Sequence, residues 1–184
     1  MTKEEYLEQF KNSLSKKEVL ALVEQASQDV NDCISLLELS FNERREIAFR
    51  AAWVLEYTLE ERPEVLVSFL PAFLHSYPKQ KNQSCRRHFT KILMYVSNKK
   101  LLRLLQGYDL SPAINATFEW LIESDTPAAV RVNCMDILFQ LREYEDWLED
   151  ELKAQIEFFL KDGGAAMQSR GRKLLKQLNK PKAI

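Results

Sequence analysis

One helical pattern recurs along this chain at roughly forty-residue spacing, and it limits the fold more than any other feature. It is clearest in Arg45-Glu46-Ile47-Ala48-Phe49-Arg50-Ala51-Ala52-Trp53-Val54-Leu55 and in Arg131-Val132-Asn133-Cys134-Met135-Asp136-Ile137-Leu138-Phe139-Gln140-Leu141. In both, an arginine is followed by small or apolar residues at offsets of three, six, seven and ten. At 3.6 residues per turn these offsets fall on one stripe of a helix. The pattern aligns on four anchors, Arg45, Arg86, Arg131 and, less closely, Gln168. The corresponding stripes are Ala48, Ala51, Ala52, Leu55; Phe89, Ile92, Leu93, Val96; Cys134, Ile137, Leu138, Leu141; and Gly171, Leu174, Leu175, Leu178. A helical period of this length implies stacked helix pairs, each needing its neighbour to bury its apolar face.

Local signals place the helices. Thr2-x-x-Glu5 and Ser15-x-x-Glu18 read as capping boxes that open helices at 3–12 and 16–27. A third helix is expected at 29–39, and Asn42 is expected to cap one at 43–60. Pro63 suits the first turn of a helix to His75, in which Pro71 should produce a kink. Helices follow at 85–96 and, briefly, at 99–106, where Gly107 closes the turn. Ser111-Pro112 and Thr126-Pro127 each read as a cap followed by a first-turn proline, opening 112–123 and 127–142. The last pair is 147–161 and 165–178, separated by Asp162-Gly163-Gly164. No window alternates with period two for long enough to predict a strand.

The fold expected is all-α: a right-handed α-α superhelix, a short solenoid of about four helix pairs with extra N-terminal helices. Residues 1–28 are expected to cap the stack, 29–180 to form the repeats and 181–184 to be a disordered tail.

Several function classes lose support from composition. Cys33, Cys85 and Cys134 are far apart and form no C-x-x-C pair, which argues against a disulfide framework or a zinc site. Cys134 occupies a core stripe position, whereas Cys85 reads in two ways: as a thiol whose pKa the adjacent Arg86 and Arg87 depress, or as a helix-opening residue that simply packs. His75 and His88 lie on different helices and are not spaced as metal ligands. The few glycines form no phosphate-binding loop. No cofactor or metal is therefore expected. Met1 to Phe10 is charged, and the longest apolar stretch, Val65 to Leu74, is too short to span a bilayer, so a cytoplasmic location is expected and a membrane role is not.

The net charge is −1, but the charges are segregated. Residues 1–64 carry 14 acids and 8 bases, Lys79 to Arg103 carries eight bases and no acid, Glu143 to Glu151 six acids and no base, and Ala165 to the end six bases and no acid. Such blocks either solvate the surface or mark partner faces.

The chain resembles HEAT repeats over about 29–178, on the strength of the proline-bearing first helix and of Asp125-Thr126-Pro127-Ala128-Ala129-Val130-Arg131 leading into a second helix with small residues. A closer resemblance rests on Ala51-Ala52-Trp53-Val54-Leu55-Glu56, Phe118-Glu119-Trp120-Leu121-Ile122 and the Arg131 helix. These segments look like a family of small HEAT-like proteins of Bacteroidetes, of unestablished role and often labelled adenylosuccinate lyase. The residues do not support that label. A lyase of the fumarase superfamily is a much longer chain with a Ser-rich, Lys-containing catalytic loop and His acid/base residues, and this chain has only His75 and His88.

By that resemblance, the helices at 43–60, 85–96, 127–142 and 165–178 are second helices and line a concave side. Offsets one, five, eight and twelve then point away from the core stripe. One row across the repeats reads Trp53, Met94, Phe139, Lys176, and the row beside it Arg50, Lys91, Asp136, Lys173, with Tyr57 and Arg87 flanking them. An apolar row edged by mixed charge is the make-up of a groove that holds a protein or peptide. The alternative places Trp53 and Phe139 in the core. The anchor arginines are expected to bond across to neighbouring repeats. The leading functional expectation is a non-catalytic binding or scaffold module with a protein or peptide partner, no enzyme site being assembled. A nucleic-acid-binding protein related to HEAT-like DNA glycosylases is the alternative, resting on Arg87, Lys91, Lys173, Lys176 and the aromatics Trp53 and Tyr57.

Overall fold

The computed structural model describes residues 1–26 and 29–180; the tail expected at 181–184 lies outside the described residues. Within the described residues there are ten α-helices, three short 3-10 turns and no strand. The chain divides into two compact units, Met1–Tyr95 and Val96–Ile184.

In the first unit both N-terminal capping boxes are formed. Glu5 N–H donates to Thr2 Oγ1 at 3.2 Å and the Glu5 carboxylate accepts from Thr2 N–H at 2.8 Å; Ser15 and Glu18 repeat the exchange at 3.3 and 2.7 Å. These boxes open α1 (Lys3–Gln9) and α2 (Lys16–Ala26). Helix α1 is shorter than expected because Phe10 turns into the core, where it stacks on Tyr6 at 5.9 Å. Asp29 caps α3 (Val30–Leu39) through Asn31 N–H.

Asn42 does not cap α4 (Arg45–Glu61). The cap position is Arg44, and the Asn42 amide oxygen accepts from Arg44 N–H at 2.9 Å. That side-chain turn delays the helix start by satisfying a backbone donor before helical geometry begins. Pro63 opens a 3-10 turn, Pro63–Val65, rather than a continuous helix, and α5 (Leu66–Ser76) follows with Pro71 on an exposed side. Helix α6 (Gln83–Val96) completes this unit apart from its last residue. Its Phe89 ring meets Phe41, Phe73 and Tyr77 at centroid distances of 5.8, 5.5 and 6.4 Å. Helix α1 packs on α3, α2 on α4, and α3 on both α4 and α5.

In the second unit a 3-10 turn, Leu102–Leu105, is followed by Gly107 at φ 84°, a left-handed conformation that glycine adopts without steric cost. Then come α7 (Ser111–Ile122), α8 (Ala128–Leu141), α9 (Leu148–Asp162) and α10 (Ala165–Leu178). Ser111 and Thr126 do not serve as their caps. Leu110 and Pro127 hold those positions, while Ser111 Oγ donates to Glu145 at 2.6 Å and Thr126 Oγ1 to Glu123 at 3.1 Å. Each hydroxyl goes to a nearby carboxylate, the stronger acceptor.

All four stripes are buried except at Leu175, which is half-buried. Each large aliphatic side chain so buried contributes about 1.5–3 kcal/mol, which holds each helix to its partner. The small members matter as much. A Cβ at Gly171 would lie 2.9 Å from Ile156 Cγ2, so only glycine lets α10 settle this closely on α9.

Candidate binding surface

The anchors behave as a set, though not in the expected way. Arg86 Nε donates to the Gln80 carbonyl at 3.0 Å, the Arg131 guanidinium to the Glu123 carbonyl, and Gln168 Nε2 to the Gly163 carbonyl at 2.9 Å. Each therefore bonds back to the loop that precedes its own helix, not across to the next repeat. The reason is that a tight interhelical loop leaves carbonyls without helical partners, and a long donor at the helix start reaches them. Arg131 also extends outward, its guanidinium 5.8 Å from the Phe159 ring centroid on α9. Gln168, the least regular anchor by sequence, makes the same kind of bond as the arginines. The Arg45 side chain is exposed, and its carbonyl accepts from Asn82 Nδ2 at 3.4 Å.

In the first unit the outward residues of α4 form an aromatic row. Phe49, Trp53 and Tyr57 are half-buried, with neighbouring rings 5.8 and 6.4 Å apart, so Trp53 is neither free nor core. Arg50 Nη1 donates to the Phe10 carbonyl at 2.6 Å and so is tied to the end of α1. On α6, Arg87 is exposed and Met94 half-buried. Lys91, expected to offer a free charge, is instead bound to Glu56 at 2.6 Å.

Glu56 was not picked out by the sequence reading. Its residue is 1% exposed, and its two carboxylate oxygens take Lys91 Nζ and His88 Nδ1, the latter at 2.5 Å. His88 is 6% exposed, its ring lies 5.1 Å from that of Phe49, and its Nε2 has no protein partner. The cluster thus joins α4 to α6 beneath the aromatic row. Burial and the Glu56 charge push the neighbouring Glu60 carboxyl above its ordinary value, with Lys91 opposing. A sequence signal existed, since Glu56 continues the apolar stripe of α4 one position past Leu55, a place where a charge needs a partner.

In the second unit Asp136 departs from expectation. It is buried rather than outward, because Arg170 of α10 reaches it, with Nε 2.5 Å from Oδ1. Burial raises the Asp136 carboxyl pKa, and the Arg170 hydrogen bond and charge partly offset this. Phe139 is half-buried under the Arg142 guanidinium, 4.5 Å from the ring centroid. Lys173 and Lys176 are exposed.

Among the described residues no three His, Cys, Asp or Glu side chains group as a metal site would need. The three cysteines are buried free thiols, and burial pushes Cys33 and Cys85 up to about 12, so the depression expected from Arg86 and Arg87 does not occur at Cys85. No helix of the described residues is long and apolar enough to cross a membrane.

Helices in successive pairs, each closed by a buried stripe and three of them by a donor anchored in the preceding loop, define an α-helical repeat protein. The chain belongs to the HEAT repeat domain family, whose model matches residues 6–178 and so includes most of α1 and all of α2. Repeats of this kind are scaffolds commonly used for protein interaction. No curated protein and no solved structure matches the chain.

Proposed function

We propose that this chain is a non-catalytic binding module that holds a protein or peptide partner on the outward sides of its second helices. In the first unit the surface is Arg50, Trp53, Tyr57, Arg87, Lys91 and Met94; in the second it is Asp136, Phe139, Lys173 and Lys176, with Asp136 acting from beneath as the brace for Arg170. The observation that carries the reading is the half-buried state of Trp53, Met94 and Phe139, apolar side chains held in place yet still presenting surface. Rigid, partly exposed aromatics edged by charge supply affinity at low entropic cost.

Two observations bear on nucleic acid as the ligand, and they pull in opposite directions. Lys91 is already neutralised by Glu56, which removes one phosphate contact; Asp136 is paired inward, which removes one repulsive charge. Neither supplies a continuous basic track, so the protein partner is the better reading.

The test is affinity capture from lysate, with and without nuclease, using the wild type and a Trp53→Ala/Phe139→Ala variant. The expected result is a protein partner retained under both conditions by the wild type and lost by a variant that keeps its helical circular dichroism. Retention only without nuclease would turn the reading to nucleic acid, and global unfolding of the variant would place the two aromatics in the core.

A further inference from the structure

The outer side of α10 carries cations and no acid. Arg172, Lys173, Lys176 and Lys180 are all exposed, and no acid stands between Ala165 and Lys180. Arg172 and Lys176 are spaced by four residues, so they form one column along the helix, about 6 Å long at the helical rise, and Lys180 follows just past the helix end. Like charges at that spacing oppose helix formation by about 0.2–0.5 kcal/mol per pair, only partly relieved where the column meets the helix C-terminus. Three other cations of the unit have acids beside them: Lys153 has Glu149, Arg142 has Glu143 and Glu149, and Arg170 has Asp136. None of the four cations in question takes part in an ion pair among the described residues.

The Arg170–Asp136 bond fixes which way this column faces. Two short reversals of the chain return α10 to the direction of α8, and the bond sets the two helices in register. Three residues further along each helix stand Lys173 and Phe139, so the half-buried Phe139 lies at the level of Lys173 along the paired helices.

We propose that α10 docks an acidic segment of a partner protein, its carboxylates along Lys173, Lys176 and the column and an apolar side chain on Phe139. This rests on the scaffold reading above and names the chemistry of the partner it requires. A polypeptide fits better than a nucleic acid on three counts. α10 carries no aromatic on which a base would stack. The cationic column is short. The six acids between Glu143 and Glu151, in the same unit, repel a polyanion that runs on beyond α10.

The experiment is fluorescence anisotropy of the full chain with three labelled probes: a peptide of about twelve residues with glutamates at helical spacing and one phenylalanine, the same peptide with lysine for glutamate, and a single-stranded oligonucleotide of similar length. The wild type is expected to prefer the glutamate peptide, with affinity falling as NaCl rises. Lys173→Glu/Lys176→Glu, two exposed changes, is expected to keep its melting temperature, to weaken that binding by about tenfold and to gain the lysine peptide. Equal binding of the glutamate peptide by wild type and variant overturns the proposal, as does tighter binding of the oligonucleotide or no preference between the two peptides. A lysate partner kept by both proteins also overturns it while leaving the scaffold reading intact. A wild type that captures nothing from lysate counts against the scaffold reading, and the peptide titration then decides the charge column on its own.

Discussion

Each unit buries one carboxylate between two of its second helices, and the two are served differently. In the first, Glu56 is almost fully withdrawn from water and has a partner on each oxygen, Lys91 Nζ and His88 Nδ1. In the second, the Asp136 side chain is 10% exposed and meets one partner, Arg170, which is itself 38% exposed. Depth explains the contrast. A carboxylate taken fully out of water loses hydration that one ion pair does not replace, whereas a carboxylate near the surface retains some. His88 and Arg170 both stand two residues after their anchors, Arg86 and Gln168, so the same register position supplies the base in both units. Buried acids of this kind give register as well as energy, because the helix cannot slide without separating the charges.

The comparison breaks most readily at Glu56. Glu56→Ala leaves His88 buried with neither ring nitrogen paired, while Lys91, one-third exposed, can turn to water. The expected loss is about 3 kcal/mol, read as a shift in the urea midpoint at unchanged slope. A loss below about 1 kcal/mol would show that depth does not set the requirement for partners. Asp136→Asn is the counterpart. It keeps an acceptor for Arg170 and removes a charge that burial disfavours, so its cost is expected to be smaller than that of Glu56→Ala.

Arg170→Met sharpens the comparison through pH. A carboxyl whose pKa is raised by folding binds more protons in the native than in the unfolded chain, so its contribution to stability is present at low pH and lost as pH rises. Asp136 is such a group already, and removing Arg170 takes away the part of its surroundings that holds the value down. The variant is expected to be about 2 kcal/mol less stable than wild type near neutrality, with the deficit shrinking as pH falls and Asp136 takes up its proton. Chemical denaturation at several pH values reads this directly. A deficit that does not change with pH would mean that Arg170 contributes packing rather than charge.

Most of the fold was legible because its determinants are local. The stripe offsets, the Thr2–Glu5 and Ser15–Glu18 exchanges and the turn at Gly107 each involve residues within a few positions of one another. The errors arose where a short polar side chain had a choice. Ser111 and Thr126 are good caps by type, but their hydroxyls went to Glu145 and Glu123, and the first of these is far away in sequence. The outward face of the second helices was legible in outline for the same reason, and the pairing of its charges was missed for the same reason. The helical period says which side Lys91 and Asp136 leave from; it does not say that Glu56, 35 residues away, and Arg170, 34 residues away, will claim them.

The smallest expected effect concerns the anchors and tests whether the two units share one repeat grammar. Arg86 and Gln168 perform the same task, closing a loop carbonyl onto the start of the following helix. Arg86 is buried and bonds a carbonyl in the interior, whereas Gln168 is half-buried and its bond competes with water. Arg86→Met should therefore cost about 1–2 kcal/mol, and Gln168→Ala about 0.5 kcal/mol or less. The second value is small enough that melting temperature is a poor readout. Amide hydrogen exchange at the Gly163–Gly164 turn and the first turn of α10 is the better one, since a local bond protects local openings. Faster exchange confined to that turn would show that Gln168 holds the loop as Arg86 does, despite being the least regular anchor. Unchanged exchange there would reduce the fourth repeat to its stripe alone, held by Gly171 and its leucines against α9.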